Sequence, residues 1–118
     1  MKINKIKNIF HKKKILVTGH TGFKGSWLSF WLHLLGAKVT GVSIDVPTSP
    51  SHFNSLNLKN KIKHKKIDIR NLKKLKKAFK KFKPDYVFHL AAQSLVKKSY
   101  SDPVYTWTTN SIGTLNVP

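Results

Sequence analysis

Three glycines stand three apart in Lys14-Ile-Leu-Val-Thr-Gly19-His-Thr-Gly22-Phe-Lys-Gly25-Ser-Trp-Leu28, between a short apolar run and a longer one. Glycines so placed suit one kind of chemistry. A pyrophosphate is held by backbone N–H groups that approach it closely, which side chains at positions 19 and 22 would prevent. The first turn of a following helix adds unpaired N–H groups and the positive end of its dipole, and Gly25 lets that helix sit close on the strand. The same spacing also suits a tight strand-to-helix turn that binds nothing, so both readings stay open on these residues alone. The second chemical residue is Asp45, at the end of the β-branched run Lys38-Val-Thr-Gly-Val-Ser-Ile44. In a dinucleotide-binding fold a carboxylate there accepts hydrogen bonds from the adenosine ribose and repels a 2′-phosphate, which favours NAD over NADP. Its distance from Gly19 exceeds the usual ~20 residues, and a turn aspartate ahead of Val46-Pro47 is the other reading.

Such residues need a frame, and the hydrophobic periodicity supplies one. Strands are predicted over 14–18, 38–44, 63–67 and from Asp85 into the small residues before Gln93. Helices are predicted from Gly22 to Leu35, stopped by Gly36, and from Asn71 as N-cap to Phe82, ahead of Pro84. A short helical connection over 95–100 and a helix from Pro103, capped by Asp102, complete the chain, and one helical turn is expected after Pro50. The alternation argues an α/β fold, a Rossmann-like doubly wound parallel sheet, incomplete, of about four strands with flanking helices. In the first of these helices Trp27, Leu28, Trp31, Leu32 and Leu35 follow helical spacing and Phe30 and Leu34 widen the stripe, so burial on more than one side is expected. His33, with no second histidine or acid one turn away, reads as a packed or edge histidine, and no metal site is expected. Residues 1–13 form a basic arm, a short frayed helix or a disordered lead, and residues 14–118 the partial dinucleotide-binding domain.

The chain has 118 residues and a formal net charge of +19, with four acidic residues and no glutamate. That charge alone would suggest nucleic acid. Arg70 is the only arginine, however, and bidentate phosphate and base recognition favours arginine over lysine. Aromatic residues fall in elements expected to be buried and do not interleave with the lysines. Compositional drift toward lysine on solvated faces is the preferred reading, with no nucleic-acid partner expected. There is no cysteine, which excludes disulfides and thiolate metal sites. No apolar run approaches the ~18 residues of a spanning helix, and the N-terminus lacks an export signal. No membrane partner is expected, and a cytoplasmic location is.

Several stretches together carry a resemblance: the run from Gly19 through His20-Thr-Gly-Phe-Lys-Gly-Ser-Trp-Leu28, Pro47-Thr-Ser-Pro50, Asp68-Ile-Arg70, His89-Leu-Ala-Ala-Gln93 with Leu95-Val96 and Ser99-Tyr100, and Thr109-Asn110 before Gly113-Thr114. The chain resembles, from about Lys13 onward, the N-terminal part of the CDP-glucose 4,6-dehydratases, within the extended short-chain dehydrogenase/reductases (NAD-dependent epimerases and dehydratases). The resemblance implies NAD as cofactor, with Gly19, Thr21, Gly22, Phe23, Lys24 and Gly25 along the pyrophosphate and Asp45 at the adenosine ribose. It implies Asp68 and Ile69 at the adenine, and Leu90, Ala91 and Ala92 on the ribose and nicotinamide side. Asn110 would steady the loop after the fourth strand, and Gln93 and Ser94 would approach the sugar substrate, CDP-glucose. Such enzymes pass hydride from the sugar to NAD, lose water and return the hydride, and the full-length family is expected to form homo-oligomers.

The family's chemistry depends on a Tyr-x-x-x-Lys pair. Here Tyr86 is followed four residues on by Leu90, Tyr100 by Val104 and Tyr105 by Thr109, so no catalytic residue is assigned. An ending at Asn116-Val-Pro118 inside an expected helix reads as a truncated N-terminal piece, inactive alone, whose helices bearing Trp27, Trp31, Tyr105 and Trp107 need further structure to cover them. A non-catalytic dinucleotide-binding module and, less favoured, a basic nucleic-acid-binding protein are the alternatives.

Overall fold

Four short runs of strand-forming residues line up side by side in the computed structural model, which describes residues 3–44 and 51–118. After a first helix α1 (Ile3–Phe10) come β1 (Lys14–Thr18), α2 (Phe23–Leu34), β2 (Lys38–Ser43), one helical turn α3 (His52–Ser55), a 3-10 turn (Leu58–Asn60), β3 (Lys63–Lys66), α4 (Leu72–Phe82) and β4 (Tyr86–His89). The strands form one parallel sheet in the order β3-β2-β1-β4. The chain thus builds outward from β1 through β2 to β3, then crosses back to lay β4 on β1's other side. At such a reversal the connections leave in opposite directions and a crevice opens outside the carboxyl ends of the strands.

The central strand is buried on both faces, as a parallel sheet requires. Ile15 and Val17 pack with Leu32, Val39, Phe53, Leu58 and Ile62 on one side. Leu16, pointing the opposite way, packs with Val42, Ile69 and Leu75 on the other, where α4 adds Phe79 and Phe82. The sheet is therefore doubly wound. α4 begins as its sequence indicates, with the Asn71 side chain accepting from Lys74 N at 3.1 Å. β3 is the contrast: all four of its residues are exposed, and lysines along an edge strand discourage pairing with another chain.

α2 departs from its expected burial. Gly25, Ser26, Ser29 and Leu32 face the sheet, while Trp27, Trp31 at 51% and Leu34 at 62% exposure face outward. Small residues win the inner face because they let the helix axis approach the strands, which the indoles would hold away. Further along, Tyr100 is 83% and Trp107 70% exposed, Trp107 lying on a helix expected to need further structure to cover it. Tyr105 lies under the Arg70 and Lys98 side chains, 4.8 and 4.3 Å from its ring centroid. The C-terminal segment runs as α5 (Val96–Ser101), α6 (Pro103–Trp107), a π-helical widening (Thr108–Gly113) and α7 (Thr114–Asn116). Asp102 caps α6 by accepting from Tyr105 N at 3.1 Å. Among the described residues no helix is long and apolar enough to cross a membrane.

Candidate functional site

The crevice outside β1 and β4 collects most of the residues singled out above. Gly19 ends β1 with φ +75°, and a Cβ on it would lie 2.7 Å from Ala91 N and 2.8 Å from the Leu90 carbonyl carbon. Only glycine permits the β1 turn to rest directly on the peptide joining Leu90 to Ala91. At Gly25 an added Cβ would run into the Gly19 carbonyl oxygen, so this glycine lets α2 start against the turn. Gly22 differs from both: its φ of −76° is ordinary, and a Cβ there would meet only Gly19 O, at 3.4 Å. Among the described residues, space is left open at Gly22 that the fold itself does not use. Gly22 is the N-cap of α2 and brings no capping side chain, and no acidic residue stands in the first turn. The positive end of α2 is thus left without a counter-charge from its own first turn.

Around this turn the structure places Thr21, whose hydroxyl meets Ser43 Oγ at 2.6 Å in a buried contact, and Phe23 and Lys24, both exposed. Asp45 and the Pro47-Thr-Ser-Pro50 run lie outside the described residues. Asp68 and Ile69 follow β3. Ile69 is buried against Gly113, while the Asp68 carboxylate takes a fork of hydrogen bonds from Arg70 at 2.6–3.1 Å. The Arg70 guanidinium holds the Asp68 carboxyl below the usual carboxylate range. Leu90, Ala91 and Ala92 follow β4, with Ala92 exposed. Asn110, in the π-helical turn, accepts from Gln93 N at 2.7 Å and donates to Gln93 O at 3.0 Å, pairing with that backbone as a strand would. The Gln93 side chain is used within its own loop, donating to Leu95 O and Thr106 Oγ1 and accepting from Leu95 N, whereas Ser94 is exposed.

Sequence reasoning missed two polar groupings here. His20, fully buried inside the glycine turn, meets His64 of β3 at 2.6 Å, packs edge-on against Phe53 and covers Gly41. Burial pushes His20 down to about 4, with His64 adding to the effect. Thr18, His89 and Thr114 are joined at 2.6 and 2.9 Å. Partners this far apart in the chain leave no local spacing to read. Among the described residues no group of three or more histidines or acids could hold a metal.

With this geometry in view, the chain can be set beside known proteins. The family model described as GDP-mannose 4,6 dehydratase matches residues 16–117. CDP-glucose 4,6-dehydratase of Salmonella typhimurium is 48% identical over 111 residues, covering 94% of this chain and 31% of that protein. UDP-glucose 4-epimerase of Mycolicibacterium smegmatis is 36% identical, covering 88% of this chain and 33% of that protein. The chain therefore spans about a third of the length of the curated relatives it matches. Among solved structures, an epimerase of Methanothermobacter thermautotrophicus superposes with a TM-score of 0.80 at 34% identity, over 96% of this chain and 32% of its own. UDP-glucose 4-epimerase of Thermus thermophilus, in complex with NAD, gives 0.75 at 32% identity, over 88% of this chain and 32% of its own.

Proposed function

The chain belongs to the GDP-mannose 4,6 dehydratase family, and from that premise we propose that residues 14–118 are the NAD-binding portion of a nucleotide-sugar 4,6-dehydratase acting on CDP-glucose. The observation that carries the reading is the turn at the β1/β4 crevice, with the space left open at Gly22 among the described residues and no acidic residue in the first turn of α2. A pyrophosphate fits that place: it is an anion with no bulk to clash, and its oxygens accept from backbone N–H groups. In this reading Gly19, Thr21, Gly22, Phe23, Lys24 and Gly25 line the pyrophosphate, and Asp45 receives the adenosine ribose. Ile69 contributes an apolar wall at the adenine, with Asp68 kept in place by Arg70. Leu90, Ala91 and Ala92 form the floor toward the nicotinamide, Asn110 holds the following loop, Gln93 shapes it, and Ser94 is left open to the sugar. The bound dinucleotide supplies the acceptor and donor of hydride.

Preference for CDP-glucose is supported by the 48% identity to the Salmonella dehydratase, against 31% to the GDP-mannose 4,6-dehydratase of Vibrio cholerae and 34% to a dTDP-glucose 4,6-dehydratase. Since no tyrosine here is followed by a lysine four residues on, the chain by itself is proposed to bind cofactor without turning over the sugar. Titration calorimetry with NAD and NADP tests the cofactor assignment. NAD is expected to bind at least tenfold more tightly, and Asp45→Ala to reduce that preference. Equal affinities in the unaltered chain would overturn the role given to Asp45.

A further inference from the structure

We propose that Thr18, His89 and Thr114 are positioning residues: a one-way chain of hydrogen-bond donors that locks His89 as the neutral Nε2–H tautomer and pins the peptide joining Leu90 to Ala91 beneath Gly19. The direction of each bond follows from what its neighbours require. Thr18 Oγ1 receives the N–H of Ala91 at 3.1 Å and shares that of Leu90, which donates to Thr18 O at 3.0 Å and to Oγ1 at 3.1 Å. Backbone nitrogens only donate, so these two use the hydroxyl's acceptor capacity and its own hydrogen must go to the third neighbour, His89 Nδ1, at 2.6 Å. Nδ1 therefore carries no proton. The other end gives the same answer independently. Thr114 Oγ1 donates to Asn110 O at 2.7 Å, and a carbonyl only accepts, so toward His89 Nε2, 2.9 Å away, Thr114 is the acceptor and Nε2 carries the hydrogen.

A charged His89 breaks this arrangement. A proton on Nδ1 would point at a hydroxyl already receiving the Ala91 N–H and a share of the Leu90 N–H, and would leave the hydroxyl's own hydrogen with no acceptor among these neighbours. Of the two N–H groups, that of Ala91 belongs to the peptide on which Gly19 rests, the contact that admits no Cβ, so crowding at Thr18 Oγ1 bears directly on it. Burial favours the neutral imidazole in the same sense. The side chains hydrogen-bonded to the His89 ring are Thr18 from β1 and Thr114 from α7, neither of which titrates. The chain continues past Thr114 to Asn110, whose side chain pairs with the Gln93 backbone. One continuous set of polar contacts thus fixes the loop after β4 from Leu90 to Gln93. As a device for the dinucleotide it rests on the cofactor reading above: it sets the floor of the crevice on the side away from the adenosine.

Nitrogen-15 NMR of the histidine rings and of the Leu90 and Ala91 amides in the full chain is the test. The expected result is an acceptor-type Nδ1 and a protonated Nε2 at His89, retained at pH values where an ordinary histidine is already charged. Thr114→Val should mix the tautomers, shift both amides and weaken NAD several-fold while leaving AMP affinity unchanged, and Thr114→Ser should restore all of these. Thr18→Val should act in the same direction as Thr114→Val. A protonated Nδ1 at His89, or amides unmoved by Thr114→Val, would overturn the proposal even if NAD binds. Failure of the unaltered chain to bind NAD, with the tautomer and amide shifts as expected, would instead overturn the cofactor reading and leave the positioning role standing.

Discussion

Substitutions at Gly22 and Gly25 separate a turn built to hold an anion from a turn that merely reverses the chain. Gly22 has φ −76° and ψ 174°, a conformation that a β-branched residue adopts freely. Its nearest neighbour to an added Cβ is Gly19 O at 3.4 Å, an ordinary contact. An apolar residue at an N-cap costs up to ~1 kcal/mol relative to glycine. The loss of freedom in the unfolded chain returns ~0.4–1 kcal/mol. Gly22→Val should then alter stability by no more than about 0.5 kcal/mol, or a melting shift of about 2–4 °C for a domain near this size. Gly25→Ala drives its Cβ into backbone atoms of Gly19, which cannot swing aside. Overpacking of this sort costs ~1–3 kcal/mol, a melting loss of about 5–20 °C. For binding the order reverses in kind: Gly22→Val fills the open space, and losing even one charge-assisted hydrogen bond of ~1.5–3 kcal/mol weakens NAD tenfold or more. Circular dichroism melts without ligand and calorimetry with NAD read the two effects separately. Gly22→Val binding NAD as tightly as the unaltered chain would refute the argument that the ligand occupies the space above this glycine.

Acid should destabilise the chain well before its carboxylates titrate. His20, His64 and His89 are all held below their ordinary value, burial being the first cause for each. The unfolded chain therefore binds more protons. The stability from neutral histidines is complete above about pH 6.5 and is lost as pH falls through the folded values, toward about 4 for His20. At about 1.4 kcal/mol per unit His20 alone accounts for something on the order of 3 kcal/mol. A urea midpoint as high at pH 5 as at pH 7.5 would refute this sign. With CDP-glucose and NAD supplied, the purified chain should form no 4-keto sugar above background, and turnover surviving removal of host enzymes would mean that other residues serve as the base.

The elements were legible in the sequence wherever local chemistry decides them. β1, the N-cap of α4 at Asn71 and the stop of α2 before Gly36 each rest on a residue whose conformation or hydrogen bonding is settled by its neighbours, and the structure puts them at those residues. Gly19 and Gly25 were legible for the same reason. The outward face of α2 was not. Apolar content reports that a helix has surface to bury, but which side meets the sheet depends on how closely the axis can approach, and that favoured Ser26 and Ser29 over the indoles. Nor was the polar wiring of the crevice legible. Thr18 and His89 are ordinary strand residues until β1 and β4 are set side by side in register, and His20 looks like a variable turn position until β3 brings His64 to it.

The distribution of charge follows the same division between what the fold constrains and what it leaves free. Ile15, Leu16, Val17 and Thr18 of β1 are wholly buried, and the turn after β1 meets its neighbours through Gly19, Gly25 and the Leu90–Ala91 backbone. Many lysines occupy exposed positions: the four exposed positions of β3 include Lys63, Lys65 and Lys66, and α4 carries lysines around a single buried leucine. A net charge of +19 can accumulate there without disturbing the strand ends that meet at the crevice. Its physical effect at the site is long-range. A strongly positive surface raises the local concentration of any anionic ligand and speeds its arrival, an advantage that salt removes. It does not discriminate among anions, so selectivity has to come from the short-range features: the open space at Gly22, the N-terminus of α2 and the peptide after β4 held beneath Gly19.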